Sequence, residues 1–140
     1  MKLYLAGPIF GCSVKECKRW RSYLTEQLSE INIKTKDPTR NTLNLQIQLE
    51  QGIIDDIEDI VEQDKADINI CDGIIAYMPF VSIGTCMEIM YAYINNKEIY
   101  IIAGQQIAES PWIIYHATEI FSEFYELVDW LGMRNHEAHS

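Results

Sequence analysis

Apolar residues fall along this chain in two alternating rhythms. Short apolar runs end at turn-forming residues: LYLAG (3–7) at Gly7-Pro8, INIKT (31–35) before Asp37-Pro38, GIIAYM (73–78) at Pro79 and EIYIIAG (98–104) at Gly104. Such bounded, β-branched runs predict four strands. Between them the apolar positions recur every three or four residues: Cys17, Trp20, Leu24 and Leu28; then Ile53, Ile57, Ile60, Val61 and Ile68; then Met87, Met90, Tyr91 and Ile94. That spacing keeps side chains on one helix face, and a last segment, SEFYELVDWL (122–131), reads the same way. Strand–helix alternation predicts an α/β chain: a single-domain Rossmann- or flavodoxin-like three-layer sandwich with a mostly parallel sheet of four to five strands. In such folds ligands bind beyond the carboxyl ends of the strands, so Gly7-Pro8, Asp37-Pro38, residues 79–82 and Gly104 are expected to share one rim.

Two acids interrupt the apolar stripes. The inward face of the second helix steps through Ile57, Ile60 or Val61, position 64 and Ile68, and position 64 is Asp. Either Asp64 points inward, or the helix ends near residue 63 and Asp64 lies in the following turn. The second acid is Glu88 in SIGTCMEI (82–89), where Ser82, Gly84 and Thr85 read as a turn opening a helix. Thr85-x-x-Glu88 has capping-box spacing, in which the carboxylate reaches back to the cap amide. The alternative is a working carboxylate, whose ionised form the helix dipole would favour in the first turn. Should the two acids meet, different surroundings could divide acid and nucleophile roles between them.

Composition narrows the partners. With 140 residues, 48% of them hydrophobic, and no Pro/Gly/Ser-rich linker, one domain with a sizeable core is expected over residues 1–133, followed by a polar tail at 134–140. A formal charge of −10 opposes binding to DNA or RNA, whose affinity rests on lysine and arginine, but leaves a small nucleoside or nucleotide open. No apolar stretch approaches the roughly 20 residues of a membrane span, and MKLYLAGPIF lacks the form of a signal peptide, so a cytoplasmic protein is expected, with no membrane partner. The four cysteines show no C-x-x-C spacing, and His136-x-x-His139 sits in the polar tail, a poor place for a metal.

YLAGPIF, EQDKADINICD and SIGTCMEIMYAYINNKEIYII together resemble the nucleoside 2-deoxyribosyltransferase superfamily, which includes 2'-deoxynucleoside 5'-monophosphate N-hydrolases. The resemblance runs from residue 2 to about residue 120. It implies Glu88 as the nucleophile that attacks C1' of the deoxyribose, Asp64 as the acid that protonates the departing base, and Tyr4 as the residue orienting the nucleophile. It implies that Gly7 and Phe10 lie along the nucleobase and that Gly84 belongs to the conserved turn. No metal or cofactor is implied, because an anion at C1' and a proton donor at the base stabilise both ends of the transition state.

One departure bears on the substrate. Six residues before the nucleophile, transferases acting on free nucleosides often carry an Asp for the 5'-hydroxyl, whereas this chain has Ser82, as the monophosphate hydrolases do. Ser110, in AESPWIIY, falls where the family sends a residue into the neighbouring subunit's site; as a plain sequence feature it is an N-cap before Pro111. Arg40, with Lys34 and Lys36 in KTKDPTR, offers a fork for phosphate or a base carbonyl. Expected, then, is cleavage of 2'-deoxynucleosides with transfer of deoxyribose to another base. The alternatives are 5'-monophosphate hydrolysis, a non-catalytic nucleotide-binding module, and thiol chemistry by Cys86 with His116 as base. SPWIIYHATEIF (110–121), read as one helix, carries more apolar surface than one helix on a small domain readily covers, unless it packs wholly on its own sheet; the resemblance implies that this stretch crosses to a partner, and so a homo-oligomer with shared sites.

Overall fold

The computed structural model describes residues 1–39, 50 and 57–138. Its elements run β1 (Lys2–Ala6), α1 (Val14–Ser29), β2 (Lys34–Lys36), α2 (Ile57–Asn69), β3 (Gly73–Met78), α3 (Ile83–Ile94), β4 (Glu98–Ala103), α4 (Gln105–Ala108), α5 (Pro111–His116), β5 (Glu119–Phe121) and α6 (Phe124–Ala138). The five strands are all parallel, in the order β2-β1-β3-β4-β5. This is the flavodoxin-like order, with its switch point between β1 and β3.

Side-chain alternation along the strands builds two cores. Tyr4, Ala6, Ile74, Ala76, Met78, Ile99, Ile101 and Ala103 pack against Ile68 of α2, Ile89 and Ala92 of α3 and Ile113 of α5. Leu3, Leu5, Ile75, Tyr100, Ile102 and Phe121 face the other way, toward Trp20, Leu24 and Leu28 of α1 and Leu127 and Leu131 of α6. The α1 stripe is the one its spacing predicts, and the helix starts at Ser13, whose hydroxyl accepts from the Glu16 amide at 3.1 Å.

Three elements differ from the pattern. The second strand begins at Lys34 rather than Ile31, because residues 31–33 close α1: Asn32 takes a left-handed φ of 62° and the Ile33 amide returns to the Leu28 carbonyl at 2.9 Å. Residues 110–121 are not one helix. They divide into α5 and β5, and Phe121 is buried in the chain's own core. The last helix runs on to Ala138, with Arg134 paired to Glu98 at 2.7 Å. No helix among the described residues is long and apolar enough to cross a membrane.

Candidate active site

All five strands point their carboxyl ends at one rim, and the two acids act on each other and on the buried Tyr4 of β1. Asp64 lies inside α2, half-buried, so the helix does not end at residue 63. Helix α3 is capped at Ser82, which puts Glu88 in its second turn and out of reach of a capping role. Thr85 instead donates its hydroxyl to Ser82 Oγ at 2.9 Å. From the second turn Glu88 also gains little from the helix dipole.

Glu88 turns toward β1, where the buried Tyr4 hydroxyl hydrogen-bonds it. The Glu88 side chain as a whole is half-buried, but its Oε2 is shut away from solvent and accepts no hydrogen bond from the described residues. Burial pushes the Glu88 carboxyl up to about 7; the Tyr4 hydrogen bond pulls it back, the Asp64 charge adds to the rise, and Arg21 opposes it. The dipole therefore does not hold Glu88 ionised, as its place near a helix start suggests; desolvation outweighs it and leaves a carboxylate poised near neutrality. Tyr4 is pushed far up by burial and then by the Glu88 and Asp64 charges, so it stays a hydroxyl donor.

The remaining expected residues surround this centre unevenly. Ser82 caps α3 with its backbone, and Gly84 faces open space, so packing does not demand glycine there. At Gly7 packing does: an added Cβ would come within 2.4 Å of the Trp20 ring. Phe10 is exposed on the loop beyond it. Ser110 is the N-cap of α5 yet makes no side-chain capping bond; it lines a cavity of about 610 Å³ with Met78, Phe80, Cys86 and Gln105. Arg40 lies outside the described residues, as does Ile53 of the predicted stripe. Cys86 and His116 do not form a thiol–base pair: Cys86 Sγ lies 3.9 Å from Met78 Sδ, while His116 Nδ1 is 2.6 Å from the Trp112 carbonyl and its ring stacks among Trp112, Tyr115 and Tyr93.

Sequence reading passed over Arg21. Its signal is the one that marks Asp64, a charged residue on an inward stripe, here four after Cys17 and three before Leu24.

No protein-family model and no curated protein sequence matches the chain. Solved structures do. A 2-deoxyribosyltransferase from Leishmania mexicana superposes with a TM-score of 0.70 at 18% identity, over 94% of this chain and 97% of its own. One from Bacillus psychrosaccharolyticus gives 0.68 at 18% identity, over 92% and 91%. The fold is that of the 2-deoxyribosyltransferases. A CMP N-glycosidase from Clostridium botulinum shares it, at a TM-score of 0.62 and 20% identity over 96% and 99% of the two chains.

Proposed function

We propose that the protein cleaves the N-glycosidic bond of 2'-deoxynucleosides and transfers the deoxyribose to another nucleobase through a covalent ester on Glu88. The observation that carries this reading is the Tyr4 hydrogen bond to Glu88 beside the charge of Asp64, with Glu88 poised near neutral pH. A Glu88 oxygen bonds to C1' as the C1'–N bond breaks, its electron pair leaving with the base, and Asp64, having taken up a proton when the substrate binds, gives it to the base. A nitrogen of the second base then bonds to C1', the ester bond breaks back to the carboxylate, and the incoming base returns a proton to Asp64. Tyr4 holds the carboxylate in line. The fold shared with the 2-deoxyribosyltransferases supports this assignment of roles.

A second reading, hydrolysis of 5'-monophosphates, draws on Ser82 and Ser110. A hydroxyl at position 82, in place of the acid many transferases carry, would repel no phosphate, and the Ser110 side chain is not spent on capping. Water would then resolve the same ester. Incubation with deoxyadenosine or deoxycytidine, with and without a second free base, and separately with the monophosphates, decides between them. Exchanged nucleoside is expected, whereas base release from the monophosphates alone would favour the hydrolase. No product from any of these substrates would reject both readings.

The reading extends to a homo-oligomer. Ile83, Met87 and Ile94 of α3 and Trp112, Ile114 and Tyr115 of α5 are exposed, Trp112 at 71% and Tyr115 at 70%, and the two helices meet through Tyr93 and Tyr115 at 5.8 Å. Trp and Tyr carry much of the energy of protein interfaces. With Ser110 beside this face, mixing Glu88→Ala chains with Ser110-substituted chains of lowered activity should restore turnover above either parent. Exchange of subunits without any recovery would show that the site is not shared.

A further inference from the structure

The side chain most completely enclosed among the described charged residues is Arg21, in the middle of α1 with no exposed surface. A buried guanidinium is costly unless its donors are used. Here Nε donates to the Leu5 carbonyl at 3.3 Å, one terminal nitrogen to the Gly7 carbonyl at 3.0 Å and the other to the Cys17 carbonyl at 2.7 Å. Leu5 and Gly7 are two residues apart and stand just past Tyr4 and Lys36, the last rung of the β1–β2 ladder. Arg21 thus supplies donors that a longer β2 would have supplied.

Instead β2 turns at Asp37-Pro38, and Asp37 closes the arrangement. Its Oδ1 lies 3.9 Å from Arg21 Nε and accepts from the Thr39 amide at 2.7 Å and hydroxyl at 2.6 Å. Trp20 presses on Gly7, and the Arg21 guanidinium sits 4.4 Å from the centre of that ring. Besides Leu5 in β1 and Cys17 in α1, two segments tied here belong to the rim: Gly7, which starts the loop to Phe10, and the turn after β2. The charge also reaches the centre, where Arg21 opposes the rise of both Tyr4 and Glu88.

We infer that Arg21 is a positioning residue of the proposed reaction: it fixes the Gly7 carbonyl, and with it the loop leading to Phe10, while placing a cation behind Tyr4 and Glu88. This rests on the roles given to those two acids above. Among the described residues the groups that act on Glu88 are Tyr4 from β1, Asp64 from α2 and Arg21 from α1.

Three variants test it, each read by thermal melting and by kcat and KM across pH with a substrate the wild type turns over. Arg21→Lys keeps the charge but lacks the planar fork that reaches two carbonyls. Arg21→Met loses both. Both should raise KM by about tenfold or more, the scale of one lost charge-assisted hydrogen bond. Only Arg21→Met should move the acidic limb of kcat/KM to higher pH, by about half a unit, less than a contacting charge produces because Arg21 is the weakest influence on Glu88. Asp37→Asn, which keeps Arg21 should the Met variant fail to fold, leaves the cation less neutralised and should move the limb the other way. Folded variants that melt lower but keep the wild-type KM and limb would make Arg21 a strut of the fold alone, leaving the function standing. A wild type inert to every nucleoside and monophosphate would overturn both.

Discussion

Along β1, β3 and β4 the residues facing α1 and α6 stay large to the end, Leu3, Leu5, Ile75, Tyr77, Tyr100 and Ile102, whereas those facing α2 and α3 shorten toward the rim on β1 and β4, and β3 ends on Met78. On that second face Ala6 lies beside Ala76 in register, and β4 ends at Ala103. On the first face Trp20, Tyr77 and Phe124 pack with ring centres 4.8 to 6.2 Å apart, and with Pro8 and Phe80 they line a cavity of about 620 Å³ at the rim. On the second face the buried Tyr4 hydrogen-bonds Glu88 and feels the charge of Asp64. The same five strands therefore serve a face packed by α1 and α6 and a face, toward α2 and α3, that holds two partly desolvated acids. With the roles proposed for Glu88 and Asp64, the alternation of side chains sets the chemistry on one face and most of the packing on the other.

The largest test of that division removes the proposed nucleophile. Glu88→Ala should abolish base release, by about a thousandfold or more if covalent catalysis is lost, while the melting transition stays cooperative. Substantial turnover by a folded Glu88→Ala protein would mean that the face toward α2 and α3 is not the working one. Its counterpart on the other face is Leu24→Ala, at a fully buried position of α1. That change should cost about 2 to 5 kcal/mol in denaturant unfolding yet leave kcat of the folded fraction unchanged. Loss of kcat without loss of stability would break the separation.

A smaller effect sharpens it through pH. Because burial raises Glu88 from 4.5 to about 7, its contribution to stability is fully present below about pH 4.5 and is lost as pH rises through about 7. Glu88→Gln should therefore melt close to the wild type near pH 4 and above it near pH 8, a gain in stability at the expense of activity. Equal melting temperatures at both pH values would show that Glu88 is better solvated than its enclosed Oε2 indicates.

Much of this division was legible in the sequence. The strand ends at Gly7, Pro79 and Gly104 were visible because glycine and proline punctuate apolar runs, and Asp64 and Glu88 stood out as acids on apolar stripes. What escaped depends on contacts made across the chain. Ile31, Asn32 and Ile33 alternate like a strand, and only the left-handed Asn32 and the Ile33 bond back to Leu28 show them to be a helix end. The three residues of β5 were hidden in an apolar run that also suits a helix. The Thr85–Glu88 spacing suggested a cap until Ser82 proved to be the helix start. Arg21 was missed because arginine is ordinarily read as surface; its burial is sustained by carbonyls at the end of β1 that no local pattern announces.

The most direct measurement is the mass of the protein after rapid acid quenching with a 2'-deoxynucleoside. The account predicts a population heavier by one deoxyribosyl group, with the modification on the peptide containing Glu88 and absent from Glu88→Ala. Turnover with no adduct under any quench time, or an adduct mapped to another residue, would contradict the covalent role of Glu88.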